Sequence, residues 1–393
     1  MNIESLITII LCIDLAVLFV LISQLSLVAS RYRLSVGRIA AIKRLEDTPS
    51  VSLCIPARNE TYALADCLTS AISSDYPKLE IIVLDDCSQD ETSQIIRSFA
   101  HDGVRFVKGT VPSEGWLGKN NAYQTLQEQA KGEYIVFMSV DTRVEPDAIS
   151  KLVAYMQLEK LSMVSVLPQR TASFGIGVIF APLRYFWQVV TPIKFNTPLA
   201  TSLWAIRSEN LIKAGGIEQY REKVDVENCL ASDFETGDEY RFLIANEQLG
   251  VSYEKTWQSQ ADTSVRLWYP KLAKNYLAAT GLIFGHLLLF VAPVVMLLMT
   301  VLNIGNANGY IHAYWLLSPI LCLLSGYIYL SYFQKVKKIS TIPDYLSVTL
   351  SFFTLPLLAL QEVVLIIASF VQYRRGKVDW KGRNICYPIT KKY

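Results

Sequence analysis

Histidine is nearly missing from this chain: His101, His286 and His312 are the only three in 393 residues, and they fall on dissimilar stretches. That argues against a histidine-built metal centre or a Ser-His-Asp triad, since each needs such side chains brought together. Paired cysteines are missing too. Seven cysteines (Cys12, Cys54, Cys67, Cys87, Cys229, Cys322 and Cys386) are scattered without a C-x-x-C pair, several within apolar runs. They read as reduced packing residues, not as a disulfide frame or a zinc site. Charge is sparse. Charged residues make up 18% of the chain, and 37 basic against 35 acidic side chains leave a formal +2, so nothing global draws it to nucleic acid. What fills the space is apolar: 51% of residues are hydrophobic and the mean hydropathy is +0.28, unusual for a soluble enzyme.

The apolar residues are concentrated in long runs. Ser5 to Ala29 is continuous enough to cross a bilayer, which takes about 20 such residues. Lys and Arg are absent from Met1 to Leu6, so a cleaved signal peptide is disfavoured. Arg31, Arg33, Arg38, Lys43 and Arg44 follow the run and predict a cytoplasmic side for what comes next. Asp14 lies inside the run, as a helix-packing contact or an interfacial residue. Further runs lie near Leu277 to Leu302, Tyr314 to Phe333 and Tyr345 to Val371. Three full crossings would place outside a tail carrying Arg374, Arg375, Lys377, Lys381, Arg383, Lys391 and Lys392. Pro356 and Gln361-Glu362 interrupt the last run, which is therefore expected to form a re-entrant or interfacial hairpin. Val164 to Ile206, apolar and aromatic and broken by Pro182, Pro192 and Pro198, suits either an acceptor floor at the membrane interface or a domain core.

Between these regions the pattern changes to strands alternating with helices. Val51 to Ile55, Glu80 to Leu84, Val104 to Val107 and Tyr134 to Met138 read as strands; Tyr62 to Ser74, Glu91 to Ala100 and Lys151 to Tyr155 read as helices. The alternation predicts βαβ units and a parallel sheet covered on both faces. Polar residues gather where these strands end, at Pro56 to Glu60 and Asp85 to Asp90, and open α/β sheets bind ligands at that edge. Asp141, just past Tyr134 to Met138, is either a helix-capping residue or an anchor for a divalent ion held mainly by substrate phosphates. Asp86, Ser88 and Asp90 suit base or ribose contacts, or an Asx turn and cap. In GWLGKNNA, Gly115 and Gly118 permit close backbone approach and Lys119 offers a point charge for phosphate, unless it is simply solvated.

VSLCIPARNE, LEIIVLDDCSQDET, GWLGKNNA and VDTRVEPDAI, in that order, resemble the family 2 glycosyltransferases of GT-A fold, and most nearly their membrane-bound, lipid-directed branch, including carotenoid and hopanoid-associated enzymes. The resemblance implies an α/β, Rossmann-like nucleotide-diphospho-sugar transferase domain with transmembrane helices. It divides the chain into an N-terminal span (1–30), a basic cytoplasmic linker (31–49), the transferase domain (50–272), C-terminal membrane segments (273–371) and a basic tail (372–393). It implies that Pro56, Arg58 and Glu60 line the nucleotide pocket, Asp86 contacts the base beside Ser88, and Asp141 holds Mg²⁺ or Mn²⁺. The first carboxylate of the family's D-x-D is replaced by Ser139, which opens the alternative of a weakened protein that binds nucleotide sugar or a partner without turnover. Glu235 to Tyr240 is read as opening a helix that runs to Gln248, with Asp238 as the catalytic base and Glu239 as the competing choice. Arg266 to Pro270 resembles an Arg-x-x-Tyr-Pro element that would serve the departing diphosphate, and Trp380 to Arg383 resembles an element at the active-site mouth or, equally, a basic membrane-surface tail. The processive Q-x-x-R-W signature is absent, so the expectation is transfer of a single sugar from a UDP- or GDP-sugar to a lipid or lipid-linked acceptor, by a multi-pass membrane protein whose catalytic domain is cytoplasmic.

Overall fold

The computed structural model describes residues 48–172, 175–190, 197–302 and 311–386, with some positions between 9 and 23 that are helical. Asp14, the basic stretch from Arg31 to Arg44, and Lys391 and Lys392 lie outside the described residues. The chain divides into two units. One takes the described residues of 32–171, 195–255 and 372–393, the other those of 1–31, 172–194 and 256–371. The boundary expected at 272 thus falls at 255, and the tail expected to stand alone joins the first unit.

The first unit holds the α/β domain. Its strands are β1 (Val51–Ala57), β2 (Leu79–Asp85), β3 (Val104–Lys108), β4 (Tyr134–Met138), β5 (Thr142–Val144), β6 (Met163–Leu167), β7 (Gln169–Arg170), β8 (Leu203–Arg207), β9 (Tyr240–Ile244), β10 (Val251–Tyr253), β11 (Asp379–Trp380) and β12 (Arg383–Asn384). Its helices are α1 (Leu64–Ile72), α2 (Thr92–Ser98), α3 (Gly118–Gln129), α4 (Ala148–Leu158), α5 (Ser208–Lys213) and α6 (Val226–Glu235). Seven strands form one sheet in the order β3-β2-β1-β4-β8-β6-β9, and β5-β10-β7 form a small second one. Within the large sheet β1 to β4 are parallel, β8 opposes both β4 and β6, and β9 runs parallel to β6. Only β8 points backward. All other strands therefore deliver their carboxyl ends to a single edge, where the polar clusters were expected.

Alternation of side chains across this sheet builds two cores. Val51, Leu53, Ile55, Tyr134, Val136 and Met138 enter one with α1 and α4; Cys54, Ile135, Phe137, Trp204 and Ile206 enter the other with α3 and α6. Phe137 stacks on Trp204 at 4.2 Å between ring centroids, joining β4 to β8. β6 and β8 come from the two ends of the stretch from Val164 to Ile206, so those ends are sheet core. The segment expected to open a helix at Glu235 contains the end of α6 and then β9; Tyr240–Ile244 is held in the sheet by β6.

The second unit is helical. It contains Trp257–Lys271, Tyr276–His286 continuing through a π turn at Leu287–Val291 into Ala292–Val301, then Ile311–Val336, Ile342–Phe353 and most of Leu355–Arg374. Tyr276–Met299 and Leu355–Arg374 are long and apolar enough to cross a membrane. Leu277, Phe284, Leu298, Leu323, Phe353, Leu357 and Val364 are exposed on these helices, an arrangement that water disfavours and lipid accepts. The break in the last apolar run falls at Thr354, not at Pro356 or Gln361. Pro356 sits in the first turn of Leu355–Arg374, where a missing N–H costs nothing, and the helix continues through Glu362. Glu362 is fully buried and accepts hydrogen bonds from Leu183 N (2.7 Å) and Trp268 Nε1 (2.6 Å).

Candidate active site

The loops after β1 and β2 are locked together. Asn59 and Cys87 take left-handed backbone angles (φ 50° and 56°), which turn each chain sharply at its strand end. Asn59 N donates to Ser88 Oγ (3.0 Å), Gln89 N donates to Asn59 Oδ1 (2.9 Å), and Glu60 N donates to Thr92 Oγ1 (2.8 Å). Arg58 is buried, and its Nη1 donates to the carbonyls of Asp86 (2.5 Å) and Cys87 (2.9 Å), so its charge frames the turn. Pro56 is half-buried near the carboxyl end of β1.

The two acids after β2 are used differently. Asp85 accepts from Ser88 N (3.0 Å) and from the Ser93 hydroxyl, which makes it a local cap. Asp86 instead meets Arg383 Nη1 at 2.5 Å through Oδ2. Burial raises the Asp86 carboxyl above its ordinary value, and the Arg383 guanidinium pulls it back. Glu60 pairs with Lys381 Nζ at 2.9 Å. Its pKa is also raised, first by burial, with Lys381 opposing and the charge of Asp141 adding to the rise. Glu60 and Asp141 therefore feel each other across the crevice.

Asp141 follows β4 on a turn closed by Thr142 N to Ser139 O (2.9 Å). Its Oδ2 lies 3.2 Å from Lys255 Nζ, a residue brought there by pairing of β10 with β5. Among the described residues no group of three His, Cys, Asp or Glu is assembled to hold a metal ion by itself. Asp141 supplies a single carboxylate, which suits a divalent ion only if phosphate oxygens and water complete its shell.

Several expected site residues are placed elsewhere. Asp238 and Glu239 immediately precede β9 and so lie at the amino edge of the sheet, opposite the crevice. Asp238 is an exposed turn residue (φ 59°) paired with Arg241 at 2.7 Å, and Glu239 bonds the Ser162 hydroxyl. The helix expected to begin there is a strand, Tyr240–Ile244, which is why these two acids sit at that edge. Lys119 is committed to Glu227, which is fully buried, at 2.8 and 2.9 Å, and to Val224 O at 3.1 Å. Lys119, with Asn120 donating to the carbonyls of Tyr220, Arg221 and Lys223, fastens the start of α3 to the loop before α6. Arg266 lies on Trp257–Lys271 in the helical unit.

That fastening brings forward a carboxylate the sequence reading passed over. Asp225 is the residue at the start of α6, near enough to Lys119 to feel its charge, and Lys119 follows Gly118, which lies against Arg383 at the crevice. Three residues further along α6, Asn228 Nδ2 donates to Thr197 O (2.9 Å), in the segment whose Ser202 carbonyl accepts from Ser139 N (2.8 Å). Burial raises the Asp225 carboxyl, with Lys119 opposing. An Asp before a short run with Val226, Leu230 and Ala231 buried is a readable helix start. Lys255 leaves no comparable local sign, whereas Lys381 and Arg383 lie in the stretch Trp380 to Arg383 that resembles a family element.

Residues 52–184 match Glycosyl transferase family 2. The poly-beta-1,6-N-acetyl-D-glucosamine synthase of Staphylococcus epidermidis is 34% identical over 105 residues, 26% of this chain and 24% of that protein. The 4,4'-diaponeurosporenoate glycosyltransferase of Staphylococcus aureus is 33% identical over 137 residues, 33% of this chain and 36% of that protein. The matches thus span between a quarter and two fifths of these relatives' lengths. The mannosyltransferase PcManGT of Pyrobaculum calidifontis, solved in complex with GDP-Man and Mn²⁺, has a TM-score of 0.47 at 18% identity, covering 91% of this chain and 97% of that one. The stretch similar to Glycosyl transferase family 2 thus contains the ends of β1, β2 and β4 and the residues Glu60, Asp86 and Asp141 that follow them.

Proposed function

We propose that this chain is an inverting glycosyltransferase that moves one sugar from a UDP- or GDP-sugar to a lipid or lipid-linked acceptor at the cytoplasmic face of the cell membrane. The observation that carries this reading is the convergence of Glu60, Asp86 and Asp141 at the carboxyl ends of three adjacent parallel strands inside the family 2 region. Asp86 suits the base or ribose, and Glu60 and Arg58 shape the pocket around it. Asp141 would hold Mg²⁺ or Mn²⁺, which when bound neutralises charge on the departing diphosphate. Asp225 replaces Asp238 and Glu239 as the group that takes the acceptor proton: the acceptor oxygen attacks the anomeric carbon, the bond to diphosphate breaks, and the proton passes to the Asp225 carboxylate. A carboxyl raised by burial is better matched to that task than an exposed one. The apolar-faced helices and the diaponeurosporenoate-directed relative support a lipid acceptor. The missing Q-x-x-R-W supports single addition. Incubating the protein in membranes with labelled UDP- and GDP-sugars and a lipid extract tests this; label entering lipid, and lost with Asp141→Asn, is the expected result, and no transfer from any donor overturns it.

Ser139, in the place of a first D-x-D carboxylate, favours a second reading in which the protein binds nucleotide sugar with little turnover. Ser139→Asp separates the two: a large gain in transfer supports a weakened site, whereas no gain in an already active protein removes the reason for it.

A further inference from the structure

Each of the three crevice acids has a basic partner in an ion pair, and two of these partners come from one hairpin. Lys381 meets Glu60 and Arg383 meets Asp86, both from the β11-β12 turn, while Lys255 meets Asp141. Trp380 pairs with Arg383 across the turn, and Lys381 and Gly382 both have positive φ (50° and 78°), as a two-residue type I′ hairpin requires. The hairpin is braced from within by Ile385 N to Val378 O (2.8 Å) and Asn384 Nδ2 to Gly376 O (2.6 Å). It is fixed to the crevice by Arg58 Nε to Lys381 O (2.9 Å) and Lys381 Nζ to Asn59 O (3.0 Å). Arg383 also rests on the first residue of α3: a Cβ at Gly118 would lie 2.6 Å from its Nη1. A cleft lined by Trp116, Gly118, Trp380 and Arg383 opens beside it.

In this state each of the three acids is ion-paired, so an arriving diphosphate competes with them for the crevice's cations. Arg58 is spent on backbone carbonyls and Lys119 on the buried Glu227. Lys381 and Arg383 are held chiefly by acids that have work to do once a nucleotide arrives. An arginine fork and a lysine at one turn match adjacent phosphate oxygens. Resting on the nucleotide-sugar reading above, we propose that the hairpin formed by residues 379–384 is a diphosphate-binding part of the donor site. Arg383 and Lys381 pass from Asp86 and Glu60 to the donor's phosphate oxygens, and the two carboxylates turn to hydroxyl and N–H groups of the nucleoside. The hairpin of residues 379–384 is thereby an integral wall of the pocket.

Titration calorimetry on the full chain with UDP, GDP, uridine and guanosine tests the proposal. K381Q/R383Q is expected to weaken binding of the preferred diphosphate by about 10–100-fold while its nucleoside binds as before. K381R, which keeps the charge and leaves the Arg383 fork in place, is expected to stay within about threefold of the unaltered protein, a rescue that a purely structural hairpin would not tie to charge. Unchanged diphosphate affinity in K381Q/R383Q overturns the proposal, as does tighter binding, which would make the hairpin a plug. Equal loss of nucleoside and diphosphate binding also overturns it, leaving the hairpin a scaffold. Failure of the unaltered chain to bind either diphosphate overturns the donor reading itself, an outcome distinct from a hairpin without effect in a protein that binds.

Discussion

The two edges of the seven-stranded sheet both carry acids and put them to opposite uses. At the amino edge, Glu133 accepts from Ser50 N (3.1 Å), Glu80 accepts from Lys131 N (2.7 Å), and Asp238 pairs with Arg241 three residues away. These acids satisfy the chain that surrounds them. At the carboxyl edge, Glu60, Asp86 and Asp141 are paired with cations more than 100 residues distant in sequence, and burial raises the first two. Such pairs contribute little to building a strand end, and desolvation makes them costly to hold. Position relative to strand direction, more than residue type, separates acids that cap a fold from acids available to a ligand.

The largest effect is expected of Asp141→Asn. Transfer should fall by about 10²–10³-fold, the scale of losing one group that stabilises developing charge, with the fold intact because the amide fills the same space. Rates measured at saturating donor would reveal it. A loss below about fivefold would put Asp141 with the amino-edge acids.

Next in size is the pH dependence set by Asp225. Its carboxyl is raised above the ordinary 3.8, and a base must be deprotonated, so the rate should fall as pH drops through that raised value. Asp225→Asn should remove most of the rate and, with it, this limb of the profile. Stability runs the other way. The folded chain holds this proton more tightly than the unfolded one, so the group's contribution is most favourable below about 3.8 and is lost as pH rises to the raised value. Chemical unfolding across that window should show a shallower slope in Asp225→Asn than in the parent, because Glu60 and Asp86, also raised, keep their share.

How legible this was follows from where each signal lies in the chain. Tyr134–Met138 was readable to the residue because all five side chains are apolar and turn residues bracket them. β1 and β2 were readable with their polar ends for the same reason. β9 was not. Buried Tyr240 and Leu243 are three apart, a helical spacing, and it is pairing with β6 that makes Tyr240–Ile244 a strand. The misread element carried Asp238 and Glu239 with it to the amino edge. Lys119 sits in the expected motif, yet its charge is taken by Glu227, 108 residues on. Lys255 and Arg383 reach the site by tertiary contact, for which local periodicity has no counterpart.

At the amino edge, Glu80→Ala should act on stability alone. It leaves Lys131 N and the Ser52 hydroxyl without that carboxylate, a cost of about 1–2 kcal/mol, visible as a midpoint lowered in urea with an unchanged slope. Activity per folded molecule should match the parent. A defect in rate instead would mean that this edge communicates with the crevice.

The smallest effect belongs to Asp238→Asn. The side chain is 87% exposed and meets Arg241 at 2.7 Å on the same turn, so water screens the pair and about 0–1 kcal/mol of stability is at stake. Asn also tolerates the left-handed backbone at φ 59°, so the turn keeps its shape. Rate, donor affinity and pH profile should all coincide with the parent. Because Asp238 lies before a strand that points toward the crevice, its side chain could enter catalysis only if β9 were reversed or displaced from β6, and the register from Met163–Tyr240 to Leu167–Ile244 opposes both. A loss of rate on the scale expected for Asp225→Asn would therefore contradict the strand order itself, not merely the choice of base.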